Sequence, residues 1–234
     1  MRMKNKKAEQ IASRQKHRDQ LKAHRRGQLI LERAEATLHV IPTILIVCEG
    51  INTEPSYFNQ FRLSSAKVKS VGDGGNPVSV VNMAHDLSTK SRYDQVWCVF
   101  DKDSFTETDF NNAIKIAESY DFGVAYSNQA FEYWLILHFN DHQGVCMNRS
   151  EYNDKINRWL KPYRVVYDGN GCKRIEEDFF ELLDGVDVKT GRKRVEMAIA
   201  RAERNFGQFD HANPAKEESS TTVFRLVQEL LKYV

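Results

Sequence analysis

The chain has 234 residues, of which 41% are apolar and 28% charged, and its formal net charge is only +2. That is the composition of an ordinary globular protein long enough to bury a real core, as one domain with sizeable appendages. No apolar run approaches the ~18 residues that span a bilayer, and the polar, basic N-terminus lacks the apolar stretch of a secretory signal.

The charge is unevenly placed. Residues 1–33 carry eleven Lys and Arg against three acids. Residues 1–36 are rich in Lys, Arg, Gln, Ala and Glu, which predicts a polar helix or a helix formed on a partner. A basic arm over 1–40 is either the footprint of a nucleic-acid binder or a solvated extension.

Residues 43–48 (TILIVC) form a continuous apolar run, as expected of a strand buried on both faces. The run ends at Glu49-Gly50. Thr53 and Pro55 then open a helix through Tyr57, Phe58 and Phe61. A short strand is predicted at 67–71, a loop at Gly72–Pro77 and a helix at 78–90. A third strand at 95–100 (QVWCVF) stops at Asp101. A helix over 107–119 leads to a fourth strand at 122–126, and an apolar helix is predicted over 130–139. Beyond it the pattern is helical, over 150–160, 174–184, 191–206 and 219–233.

Alternating strands and helices predict an α/β fold with a mainly parallel, doubly wound sheet. The expected organisation is the arm at 1–40, the α/β domain at 41–145 and a helical region at 146–234 packed on it. Of four cysteines, Cys48 and Cys98 sit inside apolar strands and read as small buried hydrophobes. With no C-x-x-C pair, cysteine usage fits a reducing cytoplasm.

In open parallel sheets, ligands bind beyond the carboxyl ends of the strands. Glu49 follows the first strand. Asp101 and Asp103 follow the third. Carboxylates brought that close repel one another unless a cation neutralises them. Hard oxygen donors suit Mg²⁺ or Mn²⁺, which polarises phosphate and activates water. Lys102, between the two aspartates, points elsewhere, toward substrate phosphate. D-x-D alone is a common turn sequence; its combination with strand–Glu-Gly carries the argument.

The stretches ILIVCEGINTEPSYF (44–58), VWCVFDKD (96–103), SNQAFEYWLILHF (127–139), and Asn213-Pro214 ahead of VFRLVQEL (223–230), resemble the RloB-like family. The Glu-Gly and D-x-D elements resemble the Toprim domain of topoisomerases, primases and nucleases. The resemblance implies a Toprim-like fold and a Mg²⁺-dependent nuclease of anti-phage defence, acting with an ABC-type ATPase such as RloA. Asp103 is followed by Ser104 and Phe105 rather than a third acid, which argues against a topoisomerase.

Around these acids several positions carry two readings. Glu54 either favours the dipole of its helix or supports a metal ligand. Glu132 falls on an apolar helical stripe with Ile136 and Phe139; it either ligates metal or forms a structural ion pair. Asn128 either caps the next helix or touches substrate. The Gly72–Pro77 loop is either a plain turn or a backbone approach to phosphate. Phe131, Tyr133, Trp134, His138 and Phe139 are read as core. Arg192, Lys193 and Arg194, with Lys189, Arg201 and Arg204, either track a phosphate backbone or form a solvated face.

The expected activity is metal-dependent cleavage of DNA or RNA. The alternatives are a non-catalytic nucleic-acid-binding or sensor subunit of an ATPase complex and, last, a nucleotidyl transferase. No Walker A motif is present, so ATP use falls to a partner. A homo-oligomer is compatible with all of these.

Overall fold

The computed structural model describes residues 12–19, 41–70, 75–142, 147 and 149–234. The chain divides into two compact units, Met1–Val40 and Ile41–Val234. In the first, residues 12–19 form an exposed helix, α1. The rest of the basic arm lies outside the described residues, as do Gly72, Asp73, Gly74 and Cys146.

The second unit is built on a five-stranded sheet in the order β2-β1-β3-β4-β5. Strand β1 (Ile44–Cys48) runs parallel to β2 (Ala66–Ser70) and to β3 (Gln95–Asp101), and β3 runs parallel to β4 (Gly123–Asn128). The two-residue β5 (Ser220–Thr221) pairs antiparallel with the end of β4. This is the Rossmann-like α/β architecture that strand–helix alternation predicts.

Every residue of β1 is buried. Because side chains alternate across a strand, Ile44, Ile46 and Cys48 enter one apolar cluster while Leu45 and Val47 enter another. The second cluster is closed by α3 (Pro77–Lys90) and α4 (Glu107–Ser119), which contribute Val80, Val81, Ala84, Phe110 and Ala113. Both helices begin on side-chain caps. The Ser79 amide donates to the Asn76 side chain at 2.8 Å, and the Asp109 amide donates to Thr106 at 3.1 Å.

The first cluster is larger and holds most of the C-terminal half. It gathers α2 (Thr53–Asn59), α5 (Glu132–Leu137), α6 (Arg149–Leu160), α7 (Glu177–Asp184), α8 (Arg194–Phe206) and α9 (Val223–Leu230). The FEYWLILHF block is core, with every residue from Phe131 through Leu137 buried, Glu132 included. His138 is fully buried among these side chains and bonds the Trp134 carbonyl at 3.0 Å through Nδ1. Burial holds its imidazole down to about 3, so it stays neutral.

Several boundaries shift from expectation, two of them for a visible reason. The segment 219–233 is not one helix: Ser220 and Thr221 are drawn into the sheet before α9 begins at Val223. The Thr221 hydroxyl donates to the Tyr126 carbonyl at 2.8 Å, a long-range partner that no local pattern encodes. Helix α7 starts at Glu177 rather than 174, and Ile175 is buried instead against α2, its amide donating to Ser56 at 2.8 Å. Among the described residues no helix is long and apolar enough to cross a membrane.

Candidate metal centre

Strands β1 and β3 are paired so that Cys48 stands opposite Val99. Glu49 and Asp101 therefore emerge side by side at the carboxyl edge of the sheet. The Glu49 amide donates to the Val99 carbonyl at 2.9 Å, and the Asp101 amide donates to Oε2 of Glu49 at 3.2 Å. Sheet pairing, not loop chance, sets these two acids together.

Two more acids join them. Glu54 lies in the first turn of α2 and is 6% exposed; Glu132 opens α5 and is also 6% exposed. Glu49, Gly50, Glu54, Asp101, Glu132 and Lys173 line one cavity of about 160 Å³. Gly50 is what lets Glu54 in. A Cβ at residue 50 would stand 2.5 Å from Oε2 of Glu54.

Asp101 is the centre of this cluster. The Phe131 amide donates to its Oδ2 at 3.0 Å, which folds the start of α5 back over the aspartate. Its Oδ1 is buried and has no hydrogen-bond partner. Burial, then the carboxylates of Glu54, Glu132 and Glu49, push the Asp101 carboxyl well above the usual carboxylate range. An unpartnered buried carboxylate oxygen among three other acids calls for a proton or a cation.

Glu132 is held from the other side. The Tyr167 hydroxyl donates to its Oε1 at 2.8 Å and lies 3.3 Å from the Thr53 hydroxyl. Burial and the neighbouring Glu132 charge push the Tyr167 phenol upward, so it remains a donor. Lys173 supplies the cavity's positive charge.

The donor chemistry fits a hard divalent cation: several carboxylates, one with an open oxygen. The arrangement is not a closed ligand shell. Among the described residues, no group of three or more His, Cys, Asp or Glu is arranged to hold one ion.

Other expected site residues fall elsewhere. Asp103 is not among the residues lining the cavity; it sits half-buried in the turn after β3 at φ 35°, its amide donating to the Gln129 carbonyl at 2.9 Å. The Lys102 ammonium turns back onto the Phe105 carbonyl instead of facing outward. Asn128 neither caps α5 nor reaches the cavity. It is buried, and its amide donates to the Pro214 carbonyl at 2.9 Å, tying the Asn213-Pro214 segment to the sheet.

The basic cluster is corrected most. Arg194 is 4% exposed, and its guanidinium donates to the Leu182 carbonyl at 3.0 Å and the Tyr163 hydroxyl at 2.9 Å. It also packs over the Phe139 and Tyr163 rings. That is a structural arginine, not a phosphate contact, because its donors and faces are taken up by the protein. Arg201 donates to the Leu137 carbonyl at 2.6 Å, and Arg204 pairs with Asp141. Arg192 and Lys193 remain exposed, with Lys193 3.4 Å from Asp184.

Sequence reasoning missed Lys173, Tyr167 and Tyr152. The available signal was the run Asp168-Gly169-Asn170-Gly171, dense in turn formers. There the Asp168 carboxylate accepts the amides of Gly171 at 2.9 Å and Cys172 at 3.0 Å, shaping the loop that presents Lys173.

A doubly wound sheet with a carboxylate-lined cavity at its strand ends defines an α/β protein with a strand-edge acidic site. The RloB-like protein family model matches residues 44–230, and the chain belongs to that family. No curated protein and no solved structure matches the chain.

Proposed function

We propose that this chain is a divalent-metal-dependent Toprim nuclease that cleaves phosphodiester bonds in nucleic acid. The observation that carries the reading is Asp101 Oδ1, buried without a partner at the point where three other carboxylates converge. Glu49, Asp101, Glu132 and Glu54 are the residues that would hold Mg²⁺ or Mn²⁺. When bound, such an ion supplies charge neutralisation and Lewis acidity toward a phosphate.

The protein's own groups do the rest. The Asp101 amide and the Tyr167 hydroxyl fix the orientations of Glu49 and Glu132. The Phe131 amide holds one oxygen of Asp101 and leaves the other open. Lys173, which lines the same cavity, offers its ammonium to a non-bridging phosphate oxygen. Membership of the RloB-like family supports a role in anti-phage defence beside an ABC-type ATPase. The free thiols of Cys48, Cys98 and Cys172 suit a reducing compartment such as the cytoplasm.

The deciding experiment incubates the protein with defined DNA and RNA, with Mn²⁺, Mg²⁺ or EDTA, with and without the ATPase. Metal-dependent cleavage that Glu49→Gln and Asp101→Asn abolish is expected; unchanged cleavage by both variants sinks the proposal. Asp103→Asn tells whether the second aspartate of D-x-D takes part, because retained activity confines the centre to the four cavity acids.

A second reading is a non-catalytic nucleic-acid-binding or sensor subunit of the same complex. The absence, among the described residues, of three acids arranged about one ion favours it. Stable association with the ATPase and no cleavage in any metal would decide for it.

A further inference from the structure

Beside the acidic cavity lies a second recess of about 300 Å³, and the two share Glu132 and Lys173. Its remaining wall comes from Tyr152 and Asn153 of α6 and from Tyr167, Gly169 and Asn170. This wall is built in advance. The Gly169 amide donates to Asn153 Oδ1 at 3.0 Å. Asn157 accepts the Tyr167 amide at 2.8 Å and donates to the Tyr167 carbonyl at 2.8 Å. The 167–173 loop is thus pinned to α6 by side-chain amides.

One group in the recess is left open. Tyr152 is 1% exposed, yet its hydroxyl is buried without a hydrogen-bond partner. Burial, then Glu218, Asp101 and Glu132, push that phenol upward, so it is a neutral hydroxyl. A buried unsatisfied hydroxyl costs stability and is kept where a ligand supplies its partner.

We propose that this recess receives one unstacked nucleoside of the substrate, and that the substrate is therefore single-stranded nucleic acid. The inference rests on the phosphodiester reading of the adjoining cavity. A phosphate between Glu132 and Lys173 places its own sugar and base in the recess. There the Tyr152 hydroxyl and the Asn170 amide offer hydrogen bonds. The volume is at the small end of ligand sites, the scale of one nucleoside rather than of a helix. A base in duplex must unstack to enter, whereas an unpaired base enters at little cost.

The test measures affinity by fluorescence anisotropy for single-stranded and duplex oligonucleotides of one sequence, with Ca²⁺ replacing Mg²⁺. Single strands are expected to bind about tenfold or more tightly than duplex. Tyr152→Phe and Asn170→Trp, the latter at an exposed position on the rim, are each expected to weaken single-strand binding about fivefold and leave duplex binding unchanged. Tyr152→Phe should not lower the melting temperature, because it removes an unpartnered hydroxyl. Equal affinity for both strands' forms, wild-type affinity in both variants, or no binding of either oligonucleotide overturns the proposal. Metal-dependent cleavage of the same oligonucleotides is scored separately. Strand preference without cleavage removes the nuclease and keeps the recess; cleavage without strand preference does the reverse.

Discussion

The acidic strand edge and the basic stretch at the start of α8 look alike as sequence: each is a cluster of like charges near a helix terminus. In the fold they part company. Arg194 spends its guanidinium on a carbonyl, a phenol and two aromatic faces. Asp101 keeps one buried oxygen with no protein partner. A buried charge whose bonding capacity is filled by the protein holds the fold together. One left partly unfilled at the end of a parallel strand is available to a ligand.

Opposite outcomes at these two sites would be the sharpest confirmation of that difference. Asp101→Asn should lower metal-dependent cleavage by about 10³-fold, the loss of a principal charge-stabilising group. It should also raise metal-free stability in urea unfolding by about 1 kcal/mol, because a buried, repelled carboxylate is removed. A destabilised Asp101→Asn protein would show that the aspartate is structural. Arg194→Ala should cost about 3 kcal/mol in the same measurement, since it removes the guanidinium's packing and leaves the Leu182 carbonyl without its donor. Wild-type stability there would return Arg194 to the set of candidate nucleic-acid contacts.

His138 tests the buried block that separates the two regions. Its folded pKa, about 3, lies below the unfolded value near 6.5. The unfolded state therefore binds the extra proton first. Stability attributable to the neutral imidazole is fully present above pH 6.5 and is lost as pH falls toward 3, by about 1.4 kcal/mol per pH unit. Urea titrations between pH 6.5 and 4.5 should show that slope in the wild type and a shallower one in His138→Gln; identical slopes would assign the acid lability to other groups.

Gly50→Ala refines the acidic side. The added methyl, 2.5 Å from the present position of Glu54 Oε2, should displace that carboxylate and reduce cleavage about tenfold while changing stability by less than about 1 kcal/mol. A variant with full activity would leave Glu54 outside the working set. The smallest effect is expected at Lys193. Its contact with Asp184 joins two half-exposed side chains, so Lys193→Ala should shift stability by less than about 0.5 kcal/mol.

Much of this arrangement was readable in advance for a local reason. The apolar run ILIVC buries on both faces and can only be a central strand, so Glu49 must follow it at the sheet edge. VWCVF does the same for Asp101. The caps at Asn76 and Thr106 place α3 and α4 within a residue or so of expectation. Lys173 and the two tyrosines were not readable that way. Tyr152 comes from α6, and Tyr167 and Lys173 from a loop more than 30 residues past Glu132 that Asn153 and Asn157 on α6 help to bring back.

By itself, then, the sequence determined the sheet, the strand-end acids and the apolar character of the FEYWLILHF block, because strand burial and helical periodicity are short-range patterns. Tertiary structure alone decided which charges stay open. Asn128 became a tether for Pro214, Arg194 a core strut and Ser220-Thr221 a fifth strand, each through a partner 12 to 95 residues away. Whether a polar group is satisfied depends on what packs against it, and that is a property of the assembled fold rather than of any local run of residues.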